Sequence, residues 1–332
     1  MRPSFRVELV NPPSGDPALL VDFLFEKRAL LFDLGDLRAL APRKILRTSH
    51  VFVSHMHLDH FMGFDWLLRV SLGRPNAVEL YGPPGILAQV EAKLAAYTWN
   101  LVHNYAGNFT LEVGELWPDG RLERAKFACR ERFRREAGEA SEETGGVLID
   151  TGGFRVRAVF LDHEVPVLGF LLEEHAHVNL WKNRLGEMGL VVGPWLQKLK
   201  RAVISGLDDD TPIRATGAGG GEPTLTLGEL KPALRVVPGT RIAYVTDVVD
   251  HEENARRIAR LADHADVLYI EAVFLDADAA HAARKFHLTA RQAGRIARAA
   301  GVRSVVPFHF SPRYAGREAE LREELQRAFA GD

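Results

Sequence analysis

Residues 54–60 have the sequence SHMHLDH and follow a short apolar run that is predicted to be a β-strand. Residues i and i+2 at a strand end project to the same side, so His55 and His57 are predicted to bind one cation together. Asp59 and His60 come where the chain turns and can face a second cation nearby. Imidazole nitrogen and carboxylate oxygen suit zinc, and also manganese or iron. The stretch therefore predicts a metal site at the end of a strand.

Two cations need more ligands than this stretch supplies. Three polar residues, His163, Asp247 and His309, each come soon after another apolar run that is predicted to be a strand. Open α/β sheets place their binding sites at the carboxyl ends of strands. Each of these residues by itself is typical of a turn or a cap. Together with residues 54–60 they complete a plausible shell around two metals.

Composition is that of an ordinary globular protein. The chain has 332 residues, of which 46% are apolar and 26% charged, and its formal net charge is −2. A chain of this length can bury a sizeable core. The balance of charge excludes a polycation, so any contact with nucleic acid must come from a local basic patch.

Cysteine content and the pattern of apolar residues indicate the compartment. The single cysteine, Cys129, excludes an internal disulfide framework and a cysteine-rich zinc knuckle, and one thiol fits a reducing cytoplasm. The first 17 residues do not have the pattern of a signal peptide, and no segment has the uninterrupted apolar length of a membrane span. We therefore predict a cytoplasmic protein that does not contact a membrane.

Apolar periodicity predicts an α/β protein with one irregular segment. Residues 174–236 have little clear periodicity and are interpreted as an inserted arm, with an irregular but packed connection as the alternative. The basic stretch 121–136 is interpreted as a solvated strand or helix face, with a phosphate-binding surface as the alternative. Strands are predicted at 19–25, 29–33, 51–54, 78–81, 152–161, 167–173, 241–245, 267–271 and 304–307, and helices at 64–72, 83–97, 252–262, 289–300 and 316–329.

Seven motifs in order resemble a known family. They are FDLGD (32–36), HMHLDH (55–60), LYGP (80–83), HEVPVLGF (163–170), IAYVTD (242–247), HLTARQAG (287–294) and HFSPRY (309–314). The sequence resembles the metallo-β-lactamase fold and, within it, the RNase Z family of tRNA 3′-processing endonucleases. The resemblance spans roughly residues 18 to 314, and the last two motifs favour RNase Z over other branches of the fold.

The resemblance implies a fold and a metal site. The fold would be a four-layer αββα sandwich, a single domain over residues 1–332 with an inserted arm at about 174–236. The metals would be two divalent cations, with zinc expected first and manganese or iron as alternatives. One would take His55, His57, His163 and Asp247, and the other Asp59, His60, His309 and the same Asp247 as a bridge.

The resemblance also implies an activity. The catalytic residues would be Asp59, His287 and Glu271, with His287 and Glu271 acting together to protonate the leaving oxygen. A hydroxide bridging the two metals would cleave RNA at the 3′ trailer of a tRNA precursor. Residues 193–194 and 199–201 resemble a shortened form of the family's tRNA-gripping arm, and two copies of the chain could associate as a homodimer.

Two other functions stay open at this point. The same metal pair could hydrolyse a small molecule such as a cyclic phosphodiester, a lactone or a thioester, because a fold does not choose its substrate. A catalytically silent RNA-binding homologue is the third alternative. The chain departs from the RNase Z pattern at residues 11–15, 36–38 and 270–273, which do not include a predicted metal ligand.

Overall fold

The computed structural model describes residues 4–138 and 142–332. These residues form two compact units. The first unit takes in the described residues within Met1–Thr151, Arg155–Leu172 and Arg241–Asp332, and the second takes in Gly152–Phe154 and Glu173–Thr240. The second unit overlaps the segment that was interpreted as an inserted arm, but its role as an arm in a single domain stays a prediction.

Strands occur in both units. In chain order the strands are β1 (Phe5–Leu9), β2 (Leu19–Phe23), β3 (Ala29–Phe32), β4 (Thr48–Phe52), β5 (Ala77–Gly82), β6 (Thr110–Leu116), β7 (Arg121–Ala128), β8 (Arg135–Ala137), β9 (Glu142–Glu143), β10 (Val147–Asp150), β11 (Phe154–Asp162), β12 (Pro166–Glu174), β13 (His177–Leu180), β14 (Pro212–Arg214), β15 (Thr224–Thr226), β16 (Leu234–Val237), β17 (Arg241–Val245), β18 (Val267–Glu271) and β19 (Ser304–Phe308).

Helices connect these strands. In chain order the α-helices are α1 (Pro42–Ile45), α2 (Leu58–Phe61), α3 (Phe64–Ser71), α4 (Ile86–Ala95), α5 (Lys182–Glu187), α6 (Trp195–Ile204), α7 (Leu227–Leu230), α8 (Glu252–Leu261), α9 (Ala279–Arg284), α10 (Ala290–Ala299) and α11 (Glu318–Ala330). Short 3₁₀ turns lie at Val102–Asn104, Cys129–Glu131, Lys231–Ala233, Asp276–Asp278 and Pro312–Tyr314. Nowhere in residues 4–138 and 142–332 does a helix have the length and apolar character needed to cross a membrane.

The first sheet runs in the order β1-β2-β3-β4-β5-β6-β7-β8, and β9 also pairs with β7. Its neighbours from β3 to β6 are parallel, and its other neighbours are antiparallel. Alternate strand residues such as Val51 and Leu80 are buried in one cluster with Leu67 of α3 and Val90 of α4. Successive side chains in a strand point to opposite faces, so these helices cover one face of the sheet.

The second sheet runs in the order β10-β11-β12-β17-β18-β19. Strands β17, β18 and β19 are parallel, which requires helical crossovers between them. The helices α8, α10 and α11 bury Ile258, Ile296 and Leu325 in one cluster with Ala243 and Leu268 of the sheet. This sheet is thus also covered by helices on one face.

Aromatic side chains join the two uncovered faces. The ring of Phe170 on β12 lies 5.6 Å from the ring of Phe32 and 5.8 Å from that of Phe52. The ring of Tyr244 on β17 lies 5.8 Å from that of Phe32. The first unit is therefore layered as helices, sheet, sheet and helices.

The second unit has its own hydrophobic cluster. Strands β13 and β16 form one antiparallel pair, and β14 and β15 form another. Helix α6 buries Leu196 and Leu199, and α7 begins with a capping box at Thr226. The expectation of little regular structure in this segment is wrong for α6, whose buried residues follow helical spacing.

Candidate metal centre

The predicted ligands come from separate strand ends of the first unit. His55 and His57 follow β4, and α2 then presents the next two ligands of that motif. His163 follows β11, Asp247 lies two residues after β17, and His309 directly follows β19. Strands β17 and β19 run parallel in the second sheet, so their ends lie at the same edge, and the loops after β11 and after β4 of the first sheet meet them there.

The structure brings the first predicted set together. One ligand atom from each of His55, His57, His163 and Asp247 lies within 4.8 Å of the others. Asp247 Oδ2 lies 3.6 Å from Nε2 of His55 and 3.6 Å from Nε2 of His163. A tetrahedral cation with bonds of about 2 Å fits such a group after small side-chain shifts.

The structure also brings the second predicted set together. Ligand atoms of Asp59, His60 and His309 lie within 4.8 Å of one another. His309 Nε2 is 3.3 Å from Asp59 Oδ2, and His309 Nδ1 is 2.9 Å from Asp247 Oδ1. His60 Nε2 is 3.4 Å from Asp247 Oδ2. Asp247 therefore faces both groups, as a bridging carboxylate would.

Buried ligand atoms without a hydrogen-bond partner indicate whether cations fit between these side chains. In the described part of the chain, Nε2 of His55 and Nε2 of His60 are buried and have no hydrogen-bond partner. A buried polar atom without a partner costs about 1–3 kcal/mol, so such atoms are expected where a ligand binds. The donor set of imidazoles and carboxylates suits zinc, manganese or iron. The residues present thus fit a pair of divalent cations.

A buried carboxylate orients His60. Asp33 Oδ2 accepts hydrogen bonds from His60 Nδ1, Ser54 Oγ and Tyr244 OH, each at 2.9 Å. Asp33 Oδ1 accepts another from the backbone N–H of Ser54 at 2.6 Å. Because Nδ1 of His60 is held in this way, Nε2 faces the site. His163 is fixed similarly, since its Nδ1 donates to the carbonyl of Phe286 at 2.8 Å.

Burial and neighbouring charges shift the pKa values of the proposed ligands. Burial lowers the pKa of His55 to about 2, so this imidazole is neutral, as a ligand must be. Burial also opposes a charge on His60, but the carboxylates of Asp247 and Asp33 raise its pKa to about 10. Burial raises the pKa of Asp59, but His309 and His60 lower it by more than burial raises it, so the pKa is about 2. The carboxylates thus attract positive charge to the centre.

A second hydrogen-bonded pair lies beside the ligands. Glu271, the last residue of β18, is fully buried, and its Oε2 accepts from His287 Nδ1 at 2.8 Å. Its Oε1 accepts from the backbone N–H of Val248 and of Leu288, both at 3.0 Å. Burial acts against the charged form of both partners, but each stabilises the other's charge. The pKa of His287 is therefore raised and that of Glu271 lowered.

Strained backbone marks the same loops. Asp33, Asp247, Phe286 and His309 have positive φ angles of 57°, 47°, 60° and 60°. Residues other than glycine rarely adopt a positive φ angle, and each instance costs about 1–3 kcal/mol. Such strain concentrates where a site fixes its side chains.

Sequence reasoning gave no role to several residues here. Asp33, Ser54 and Tyr244 were parts of matching motifs, but their mutual hydrogen bonds were not predicted. Asp33 directly follows the buried strand β3. The pattern used for the proposed ligands, a polar residue after an apolar run, could therefore have found it. Asp16 and Lys285 line the same 530 Å³ cavity as His57 and His287 and were also missed.

Comparison with known proteins agrees with this architecture. A model of the beta-lactamase superfamily domain matches residues 207–310. The structure resembles the metallo-β-lactamase fold protein YhfI from Bacillus subtilis, with a TM-score of 0.55, 14% identity and coverage of 98% of this chain and 94% of that one. It also resembles the short form of human tRNase Z, with a TM-score of 0.50, 19% identity and 93% coverage of each chain.

Sequence relatives are more similar. Ribonuclease Z of Deinococcus radiodurans is 34% identical over 97% of this chain and 94% of its own length. Ribonuclease Z of Thermobifida fusca is 33% identical over 93% of this chain and 83% of its own length. Fold and site together define a hydrolase of the metallo-β-lactamase fold, as the sequence predicted. The chain belongs to the ribonuclease Z family, and the predicted family is confirmed.

Proposed function

We propose that this chain is a metal-dependent endoribonuclease that cleaves tRNA precursors at the 3′ trailer. The observation that carries the proposal is the pair of ligand groups that meet at Asp247. The names of the relatives, Ribonuclease Z and tRNase Z, support RNA as the substrate over a small phosphodiester, a lactone or a thioester.

The proposed ligands are the predicted ones. One cation would be held by His55, His57, His163 and Asp247, and the other by Asp59, His60, His309 and Asp247. When bound, such a pair supplies a water nucleophile at neutral pH and stabilises charge on the phosphoryl oxygens. Zinc is the proposed metal because imidazole predominates in the donor set, and manganese or iron are the alternatives. Asp59 would act both as a ligand and in catalysis.

The chain's own residues would supply the proton for the leaving oxygen. His287 lines the cavity, and Glu271 holds its Nδ1. That hydrogen bond leaves Nε2 of His287 free to face the substrate. Because the pKa of His287 is raised, its protonated form is favoured, and Nε2–H can donate to the departing O3′. The products would be an RNA with a 3′-hydroxyl and a trailer with a 5′-phosphate.

Three further parts of the proposal concern the rest of the molecule. Helix α6 of the second unit exposes Lys198 and Arg201, and these cations support a role for residues 174–236 as an RNA-binding arm. Comparison of RNA affinity between the native chain and K198A/R201A tests this role.

We also propose that two copies of the chain form a homodimer, which sedimentation tests. A cytoplasmic location is proposed as well, and it agrees with the single cysteine.

Incubation with a labelled tRNA precursor tests the central function. The purified protein should release the trailer when zinc or manganese is present and should lose this activity after chelation. Asp247→Asn is the matched variant, since it keeps the side-chain volume but removes the charge. Hydrolysis of bis-p-nitrophenyl phosphate without any cleavage of the precursor would overturn RNA as the substrate and favour a small-molecule hydrolase.

A further inference from the structure

A lysine side chain lies on the wall of the cavity. Among the described residues that line it, Lys285 is the only lysine or arginine. We propose that Lys285 binds a phosphate of the RNA next to the scissile linkage, and so selects polynucleotides over small phosphodiesters. This inference rests on the proposed function, because it concerns how that same site recognises its substrate.

The backbone around Lys285 is held from two sides. Lys285 comes directly after α9, and its N–H donates to the carbonyls of His281 and Ala282 at 3.1 and 3.0 Å. The carbonyl of Phe286, the next residue, accepts from His163. The start of the Lys285 side chain is therefore fixed relative to a predicted metal ligand, as a positioned contact requires.

Two acids in the 3₁₀ turn that precedes α9 are paired with arginines. Asp276 pairs with Arg291 at 3.2 Å, and Asp278 pairs with Arg313 at 3.1 Å. In the described parts of the chain no ion pair involves Lys285, which is exposed. Its charge is thus available to a ligand in the cavity.

The number of phosphates in the substrate explains how Lys285 would favour RNA over a small phosphodiester. The scissile phosphate of any phosphodiester would lie at the metals, but RNA carries a further negative charge at every neighbouring linkage. A lysine on the same cavity wall can neutralise one of them, as a point charge with three donors. A small phosphodiester has no second phosphate, so it gains nothing from Lys285.

Kinetics with two substrates test the inference. We expect Lys285→Ala to reduce the ratio of precursor cleavage to bis-p-nitrophenyl phosphate hydrolysis, compared as kcat/KM, by about tenfold. The slope of log affinity for RNA against log salt should become shallower by about one. Lys285→Arg should retain most of the native ratio. Arg284→Ala is the matched control, since Arg284 is the exposed neighbour that does not line the cavity.

Uncharged linkages in the RNA substrate identify the phosphate that Lys285 would contact. Replacement of each flanking phosphate by a methylphosphonate should slow the native enzyme at one linkage, and Lys285→Ala should be insensitive to that same change. An unchanged substrate ratio in Lys285→Ala, with RNA still cleaved by the native enzyme, would overturn the inference alone. Failure of the native enzyme to cleave RNA while it hydrolyses the small diester would overturn the proposed function and this inference with it.

Discussion

Replacement of Tyr244 by phenylalanine should weaken the metal centre without touching a metal ligand. Tyr244 lies on β17 and is almost fully buried, and its hydroxyl donates to Asp33 Oδ2 at 2.9 Å. The same oxygen accepts from His60 Nδ1, so the hydroxyl helps to hold the carboxylate that orients this imidazole. Phenylalanine keeps the ring, which stacks on Phe308 at 5.2 Å, and removes only the donor.

The size of the effect follows from the burial of the pair. A hydrogen bond to a charged group contributes about 1.5–3 kcal/mol, and no water replaces the lost donor because Asp33 is fully buried. We expect the free energy of unfolding of metal-free Tyr244→Phe to fall by about 2 kcal/mol. Groups that orient ligands change metal affinity by about 10–100-fold, and we expect the lower end because Tyr244 acts through Asp33. Denaturant titration and zinc competition with a chelating dye measure the two quantities.

A neighbouring tyrosine supplies the control. Tyr269 lies opposite Tyr244 in the parallel pairing of β17 and β18 and is also buried. Burial raises the pKa of Tyr269, and its hydroxyl makes no side-chain hydrogen bond within the described part of the chain. Tyr269→Phe should therefore leave zinc affinity unchanged. Equal stability and equal zinc affinity in the two variants would refute the role given to the Asp33 network.

Three more predictions concern catalysis and metal binding. His287→Ala should lower kcat on precursor RNA by about two to four orders of magnitude at unchanged metal content, because a general acid is lost; an unchanged rate would remove its proposed role. Asp247→Asn should abolish turnover and lower zinc stoichiometry while circular dichroism stays native, since both proposed ligand groups include this carboxylate; full activity would contradict that proposal. Chelation should lower the melting temperature, and zinc at 100 times the Kd of a site should restore about 2.7 kcal/mol for each site that it fills; equal melting curves with and without metal would contradict a native site.

The proposed metal ligands could be selected from the sequence because each lies where apolar pattern and topology agree. The histidines and aspartate of residues 54–60 follow one strand, and Asp247 and His309 follow two others of the second sheet. Strand ends are readable from apolar runs, and parallel strands bring their ends together. Glu271 and His287 needed the family resemblance, because a lone glutamate at a strand end resembles many surface residues.

Other features could not be predicted because they depend on distant contacts. Asp33 and Tyr244 are 211 residues apart, and no local pattern indicates that one will donate to the other. Strand β6 was missed because glycine and glutamate, which are depleted in strands, interrupt its apolar alternation. The basic stretch 121–136 forms β7 and β8 among its elements, and in β7 the exposed Arg121 and the half-buried Arg124 and Lys126 lie between buried residues such as Phe127, which agrees with a partly solvated strand face.

The most direct test is a zinc-loaded crystal measured across the zinc absorption edge. We predict two anomalous peaks per chain on either side of Asp247, one near His57 and His163 and the other near Asp59 and His309. A single peak away from Asp247, or none in protein that cleaves RNA, would contradict a two-cation centre.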